Sequence, residues 1–238
     1  MLLTAATSSV LAEETAPCAP TLQPYKAEYT TTARGMTVTL ERELKTDGEG
    51  GYTLTNGGTL LVVGFHEVAV FAVEDAQVQP RSYIYQGTGL INRRREVHFT
   101  PGADTVRSLY KEEWYELPYT EGTLDRMSQQ EQLRLHLMSR DDPRQNISVR
   151  IADGKRVKNY ELVYVSDEIL ETPLGPVNAL HFERLHDDPD RESDIWFAPE
   201  WDYLMVKTVH IEDDKPVEVL LSDARIGGTQ VVASSARH

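Results

Sequence analysis

Residues 25–44 read YKAEYTTTARGMTVTLEREL, and this stretch sets the pattern for the rest of the chain. Small polar side chains alternate with apolar or long ones, so that every second residue from Val38 onward belongs to one face. Gly35 interrupts the alternation at the point where a tight turn needs an unhindered residue. The stretch therefore predicts a β-hairpin, with strands at residues 25–33 and 36–44.

The alternating pattern continues in short segments over most of the chain, separated by turns rich in Gly, Pro, Asn and Asp. Residues 60–65 and 68–73 are apolar on both faces, which predicts two central strands but also fits a buried helix. Short turns between neighbouring strands favour antiparallel pairs in a meander. The other predicted strands lie at residues 52–56, 81–86, 93–100, 105–109, 114–117, 147–151, 156–165, 168–172, 177–184, 193–197, 204–211 and 216–221.

Only one segment combines a helical start signal with a helical period. Ser128 and Glu131 have the spacing of a capping box, in which each side chain bonds a free backbone amide at the helix start. Leu133 and Leu137 then fall on one stripe, and Pro143 ends the segment. The predicted fold class is mainly β: a single strongly curved antiparallel sheet or open barrel, meander-like, with one helix packed near mid-chain. We expect this helix to cover the concave face of the sheet only in part.

The chain has 238 residues and is acidic, with 24 Lys and Arg against 38 Asp and Glu and a formal net charge of −14. Such a surface repels phosphate backbones, which excludes electrostatic binding of nucleic acid, and it also disfavours anionic membrane surfaces. No apolar run approaches the roughly 20 residues needed for a membrane-spanning helix. The sequence therefore predicts a globular protein with no nucleic-acid partner and no transmembrane segment.

The start of the chain predicts export. Its first residues, MLLTAATSSVLA, resemble an apolar signal-peptide core followed by a small-residue cleavage site. Cys18 is the only cysteine, so the chain forms no internal disulfide, and Pro17 before it opposes a lipid anchor at that position. We therefore expect a protein of the periplasm that is not anchored through Cys18. The predicted organisation is a signal-peptide remnant at residues 1–12, a linker at 13–24, one β domain at 25–226 and a polar tail at 227–238.

Several short phrases along the chain resemble the DUF3108 family in their order and spacing, over about residues 25–222. These phrases are EVAVF at residues 67–71, PRSYIY at 80–85, REVHF at 95–99, DRMS at 125–128, LR at 133–134, TPLG at 172–175 and IWFAP at 195–199. The resemblance implies an exported bacterial envelope protein that is mostly β and has no assigned activity. It supplies no catalytic residue to carry over.

The sequence contains no motif for metal, cofactor or nucleophilic chemistry. Its histidines show neither HExxH nor another paired metal-ligand spacing, and the nucleophile elbow and phosphate-binding loops are absent. A triad assembled from distant residues stays open. The acidic run HDDPDRE at residues 186–192 fits a calcium loop or, more simply, a solvated turn. We predict no catalytic residue, no metal and no cofactor, and we favour a binding protein over an enzyme.

The candidate ligand site is the hairpin at residues 81–99. Alternation places Arg81, Tyr83 and Tyr85 on one face of its first strand, and Arg93 and Arg95 share a face of the second. If the two faces coincide, guanidinium groups lie beside tyrosine rings, where they can stack and also bind a carboxylate or phosphate. The simpler alternative is a sheet face whose arginines reach solvent over packed tyrosines. With Glu67 as a charge partner and an arginine before the helix, the candidate ligand-binding residues are Glu67, Tyr83, Tyr85, Arg93, Arg95 and Arg126.

Three functions fit these observations. The first is a non-enzymatic binding protein for an apolar or amphipathic envelope ligand, such as a lipid, an acyl chain or a lipoprotein segment. The second is an envelope enzyme acting on a glycan, which requires two carboxylates across a groove, with Glu67 and Asp125 as candidates. The third is an interaction module that pairs with another chain through a sheet edge.

Overall fold

The computed structural model describes residues 19–33, 35–90, 92–186, 191–212 and 215–233, and most of these residues lie in strands. One α-helix, α1, spans Ser128–Ser139, and Pro199–Trp201 form a short 3₁₀ turn. The strands are β1 Tyr25–Ala33, β2 Met36–Thr46, β3 Gly51–Leu60, β4 Val63–Glu74, β5 Gln77–Gly89, β6 Arg94–Phe99, β7 Thr105–Tyr110, β8 Glu113–Pro118, β9 Thr123–Leu124, β10 Ile147–Asp153, β11 Arg156–Thr172, β12 Gly175–Arg184, β13 Arg191–Ala198, β14 Leu204–Glu212, β15 Lys215–Ile226 and β16 Thr229–Gln230.

All sixteen described strands belong to one sheet. From one edge to the other the order is β8 to β1 in reverse sequence, then β15 down to β9, with β16 added beside β15. Each half is therefore a meander of hairpins, and the halves join where β1 pairs with β15, with Tyr25 opposite Ile226. Every pair is antiparallel except β9 with β10. The predicted single curved antiparallel sheet with one helix is confirmed.

The sheet curls until its two edges meet through side chains. The hydroxyl of Ser108 on β7 donates to the carbonyl oxygen of Gly154, in the turn after β10, at 2.8 Å. The ammonium of Lys155 lies 5.1 Å from the centre of the Tyr115 ring on β8. These contacts close the sheet into a barrel-like shape without a continuous backbone ladder between the edges.

Asp125, rather than a capping box, holds the start of α1. Its Oδ1 accepts the backbone amides of Met127 and Ser128 at 2.8 and 2.9 Å, and its Oδ2 accepts the Ser128 hydroxyl at 2.8 Å. The predicted capping box is wrong, because Ser128 turns back to Asp125 and Glu131 points into the core. Pro143 does follow the helix end at Ser139, as expected.

The helix is buried more deeply than its sequence suggests. Seven of its twelve residues are buried, and Glu131, Gln132 and Arg134 are among them. Gln132 accepts the backbone amide of Val78 at 2.6 Å and donates to the carbonyl of Ala76 at 3.2 Å. It thereby satisfies backbone groups of the β4–β5 hairpin that face the helix.

A charged network inside the sheet fixes the helix to β1 and β2. Glu131 accepts the Tyr25 hydroxyl at 2.7 Å, the Arg42 guanidinium at 3.2 Å and the Arg134 guanidinium at 2.8 Å. Arg134 is 2% exposed and Glu131 1%. Arg134 also donates through Nε to the carbonyl of Asp202 at 3.0 Å, but its Nη2 has no hydrogen-bond partner among the described residues. Two buried cations therefore share one buried anion.

The structure changes the interpretation of three segments. Residues 60–65 do not form one strand, because Leu61 and Val62 make the turn between β3 and β4. In the predicted linker, Leu22 is 2% exposed and accepts the Tyr52 hydroxyl through its carbonyl. In the predicted polar tail, Val231 is buried next to β16. The predicted signal-peptide remnant at residues 1–12 lies outside the described residues, as do residues 187–190 of the acidic run.

Candidate functional site

The concave face is filled at one end and open at the other. Near the β4–β5 turn, inward-facing Ala69 and Phe71 are 0% exposed and pack against the core under the helix. Toward the β3–β4 turn, inward-facing side chains of the same strand, such as Phe65 and Glu67, are only partly buried. We call the open part the vestibule and define it by Glu67, Tyr85, Arg95, Arg126, Asp153 and Arg184.

One wall of the vestibule is built on β3, β4 and β5 around Glu67. The Tyr83 hydroxyl donates to its Oε1 at 2.6 Å, and the Asn56 amide donates to its Oε2 at 2.9 Å. Burial and the charge of Glu67 raise the pKa of Tyr83 well above its ordinary value, so this hydroxyl remains a donor. The ring of Tyr85 stacks on that of Phe65, with centroids 6.1 Å apart. The wall therefore combines a fixed carboxylate with an aromatic surface.

Asp153 holds two arginines at the centre of the vestibule. Its carboxylate lies 3.6 Å from Nη1 of Arg126 and 3.9 Å from Nη1 of Arg95. Arg95 also lies over the Tyr110 ring, 5.3 Å from its centre. Burial works against the charged form, but Asp153 and Glu67 keep the pKa of Arg126 above its ordinary value. Because both ion pairs are long and the Arg126 side chain is 48% exposed, its donors remain accessible to a ligand.

The opposite wall carries a cluster around Ser193 on β13. The Ser193 hydroxyl lies 2.8 Å from Nε2 of His186 and 2.7 Å from Nδ1 of His210. Arg184 on β12 lies 3.4 Å from the same hydroxyl and covers the Tyr160 ring at 4.6 Å. Burial, followed by the positive charge of Arg184, lowers the pKa of His186 to about 4, so its imidazole is neutral at pH 7.

Arg126 connects the two walls electrostatically. Its positive charge, together with burial, lowers the pKa of Arg184 on the second wall. It also opposes the rise in the pKa of Tyr83 on the first wall. The charge of Arg126 therefore acts on Arg184 of the second wall and on the Tyr83–Glu67 pair of the first wall.

Four of the six sequence-predicted residues share one sheet face, and a fifth joins them. Glu67 lies opposite Tyr85, Tyr85 lies opposite Arg95, and Tyr83 lies two residues from Tyr85 on the same strand. Arg126 joins them through Asp153. The two hairpin faces therefore coincide, as the sequence pattern suggested.

Arg81 lies away from this face, and Arg93 lies just before the start of β6. Arg93 is exposed, and its carbonyl accepts the amide of Gly87. Arg81 is exposed because it is the extra residue of a β-bulge, where the pairing moves from Val70–Ser82 to Phe71–Pro80. Strict alternation fails at Arg81, since a bulge shifts the side-chain period by one residue.

Asp125, a sequence candidate for a catalytic carboxylate, and the histidine His181 both have structural roles. Asp125 is 0% exposed, and both of its carboxylate oxygens cap α1, so it cannot face Glu67 across a groove as a second catalytic carboxylate. On the other side of the sheet, His181 lies 2.8 Å from Glu168 through Nδ1 and 2.8 Å from Asp194 through Nε2. With both nitrogens engaged, this imidazole has none left for a substrate. Within the described ranges, no group of three or more His, Cys, Asp or Glu side chains could hold a metal ion.

Two surface depressions lie outside the vestibule. One of about 480 Å³ lies beside α1 and includes Gln132 and His136, and one of about 590 Å³ lies over β2 to β5 and includes Thr55 and His66. Most of the residues lining both are polar. In the part of the chain that the structure describes, no helix is long and apolar enough to cross a membrane.

The sheet, the buried helix and the half-open concave face define a class of protein: a mainly β, barrel-like domain made from one curled sheet. The chain belongs to the DUF3108 family, described as a protein of unknown function, whose family profile matches residues 24–220. The resemblance seen in the sequence is therefore confirmed. A search of curated proteins gave no match.

The chain is similar to two solved structures at low sequence identity and to different degrees. A beta-barrel-like protein of domain of unknown function DUF1849 from Brucella abortus is 11% identical, with a TM-score of 0.56 over 86% of this chain and 98% of that one. A candidate lipoprotein from Parabacteroides distasonis is 9% identical, with a TM-score of 0.33 over 87% of this chain and 97% of that one. The first similarity supports the barrel-like fold and nothing beyond it.

Proposed function

We propose that this chain is a periplasmic envelope protein that binds an amphipathic ligand with an anionic headgroup and catalyses no reaction. The export signal in its sequence and its DUF3108 membership support this compartment. The observation that carries the proposal is the half-filled concave face, which presents arginines and aromatic rings in one recess. A concave recess in which several polar groups converge beside aromatic rings is typical of ligand sites.

Charge in the vestibule favours an anionic headgroup. Arg95, Arg126 and Arg184 line it, and the first two form ion pairs with Asp153 at 3.9 and 3.6 Å. A phosphate or carboxylate oxygen at hydrogen-bond distance offers a guanidinium a stronger partner than an ion pair of that length. Asp153 then serves to hold the two arginines in position before the ligand arrives.

The aromatic surface favours a ligand with an apolar part next to its headgroup. The stacked rings of Phe65 and Tyr85 lie on the same face as Arg95. Because the helix and the buried residues around Phe71 fill the other end of the sheet, there is no room there for a long acyl chain. We therefore propose that the vestibule takes the headgroup and the first carbons, while the rest of the chain leaves through the open end.

The first test is native mass spectrometry of the protein purified from periplasm, with organic extraction of any bound species. Binding of dodecyl phosphate and dodecyl maltoside, both below micelle concentration, is then measured by calorimetry. We expect Arg126→Gln to weaken dodecyl phosphate binding by about 10-fold or more, the loss of one charge-assisted hydrogen bond. Arg107→Gln is the matched control, since its side chain is 56% exposed but lies on the other face.

Two results would overturn the proposal. One is a protein that carries no amphiphile and binds neither dodecyl compound. The other is binding of dodecyl phosphate that Arg126→Gln and Arg107→Gln weaken equally, because the ligand would then lie outside the vestibule.

A further inference from the structure

The two most exposed large apolar side chains among the described residues, Leu90 and Leu61, lie together with Val62 at the open end of the sheet. Leu61 and Val62, in the β3–β4 turn, are 78% and 67% exposed, and Leu90, just after β5, is 82% exposed. The two turns touch, because Val63 pairs with Gly89 and a β-carbon on Gly89 would lie 1.6 Å from the carbonyl oxygen of Val62. The three side chains therefore form one projecting group, which we call the apolar tip.

The β3–β4 turn carries these residues against local preference. Leu61 has φ of 56°, in the left-handed region that two-residue hairpin turns normally give to Gly, Asn or Asp. A branched residue in that conformation is costly, and an exposed leucine gains nothing from burial. A residue that breaks both the turn rule and the burial rule is the kind of exception found at functional positions.

Positive charge accompanies the apolar tip although the whole chain is acidic. Residues 60–64 read LLVVG and residues 87–95 read GTGLINRRR, so these two segments contain three arginines and no carboxylate in a chain of net charge −14. Two of the three arginines have carboxylate partners outside these segments: Arg94 pairs with Glu96 at 2.5 Å, and Arg95 lies 3.9 Å from Asp153. Arg93 is exposed, and the Arg94 side chain is 48% exposed. Over a Debye length of about 8 Å a partner senses this local charge rather than the net charge of the chain. The expectation that the acidic surface disfavours anionic membranes therefore does not apply to the apolar tip.

We propose that the apolar tip docks this protein on an anionic lipid bilayer surface. Leu61, Val62 and Leu90 enter the boundary between headgroups and acyl chains, and the exposed Arg93 binds a lipid phosphate. Arg94 contributes where a lipid phosphate takes the place of Glu96 as its partner. Apolar side chains flanked by arginines are the composition that interfacial membrane segments use. The tip consists of two projecting turns, a convex shape that suits insertion into a fluid surface. The vestibule opens toward the same end of the sheet.

Vesicle sedimentation tests this docking. The protein is mixed with vesicles of 7:3 phosphatidylethanolamine and phosphatidylglycerol, and the bound fraction is measured after centrifugation. We expect Leu61→Asp combined with Leu90→Asp to lower the partition coefficient at least 10-fold. Ile169→Asp is the matched control, since Ile169 is 69% exposed on β11, away from the tip. Circular dichroism checks that each variant remains folded.

A second arm tests the charge. Arg93→Glu combined with Arg94→Glu should lower binding to these vesicles several-fold, and binding to pure phosphatidylcholine should be weak for the wild type. Arg107→Glu, an exposed arginine outside the tip, should have no effect.

Three outcomes would overturn the docking proposal: a wild type that stays in the supernatant, an Ile169→Asp variant that loses as much binding as the tip variant, or a dimer in native mass spectrometry that only the tip variant dissociates. The last would assign the tip to self-association. The vestibule is tested separately, because Arg126→Gln should leave vesicle binding unchanged, and the tip variant should still bind dodecyl phosphate.

Discussion

Replacing Glu131 by Gln should destabilise the fold more than any other conservative exchange on α1. Glutamine keeps the volume of the side chain but removes the only negative charge of the buried network, leaving Arg42 and Arg134 without a counter-charge. Burial raises the pKa of Glu131, but the two guanidinium groups more than offset this and hold it below its ordinary value. The native side chain is therefore a carboxylate at neutral pH.

The size of the effect follows from the geometry. Removing one partner of a buried ion pair costs about 3–5 kcal/mol, because the charge that remains is desolvated and unpaired. For a domain of this size each kcal/mol lowers the melting temperature by about 2–4 °C, so the expected decrease is on the order of 10 °C. This is a large part of a total stability of about 5–15 kcal/mol.

Urea unfolding followed by circular dichroism measures the change. Glu116→Gln is the control, since Glu116 pairs with Arg107 at 3.2 Å but both side chains are more than half exposed. Such a pair contributes no more than about 1 kcal/mol. Arg42→Met should cost less than Glu131→Gln, because Tyr25 and Arg134 still donate to the two oxygens of Glu131. The reasoning is refuted if Glu131→Gln and Glu116→Gln unfold at the same urea concentration, or if Arg42→Met is the worse variant.

Three further predictions concern a glycine, a helix cap and a histidine. Gly89→Ala should destabilise the fold by well over the roughly 1–2 kcal/mol that an alanine in the left-handed region costs, because the new β-carbon meets the Val62 carbonyl. Gly102→Ala has open space around the new β-carbon and should cost only that backbone conformational energy. Equal urea midpoints for the two variants would contradict this. Asp125→Ala should cost about 1–2 kcal/mol in urea unfolding through the lost cap of α1, and a wild-type midpoint would argue against the capping role. Because burial lowers the pKa of His186 to about 4 from 6.5, the unfolded chain binds a proton in this window that the folded chain does not, so stability should fall as the pH drops from about 6.5 to 4. In His186→Gln, the melting temperature should change less with pH over this range. An unchanged slope would show that other groups control the pH dependence of stability.

Local pattern predicted part of the first wall of the vestibule. Tyr83 and Tyr85 could be assigned to one face of their strand, and Arg95 to one face of the next, because a strand has period two. Whether the two faces coincide stayed open in the sequence, and Glu67 was suggested only as a nearby charge partner. The bulge at Arg81 could not be predicted, because an inserted residue has no compositional signal.

The second wall and the core network depend on long-range pairing. Ser193 meets His186 and His210 only because β12, β13 and β14 are adjacent in a particular register, and no local motif specifies it. In the sequence, Glu131 has the spacing of a capping box with Ser128 and of an exposed helical ion pair with Arg134. Only the sheet that surrounds the helix makes Glu131 and Arg134 part of a buried network. The turn at Leu61 was missed for a related reason, since it lacks the glycine or asparagine that announces a hairpin.

The pairing of β1 with β15 has a consequence for how the chain folds. Strands β1 to β8 can form by successive local hairpins, but the partner of β1 begins only at Lys215, so this seam closes over almost the whole length of the chain. Closing so long a loop is slow compared with hairpin formation. Until β15 forms, β1 is an open edge with unpaired backbone groups, which other chains can pair with. Closure of this seam is therefore the folding step at which the chain is most exposed to pairing with other chains, and a truncation before residue 215 leaves both β1 and β14 as permanent edges.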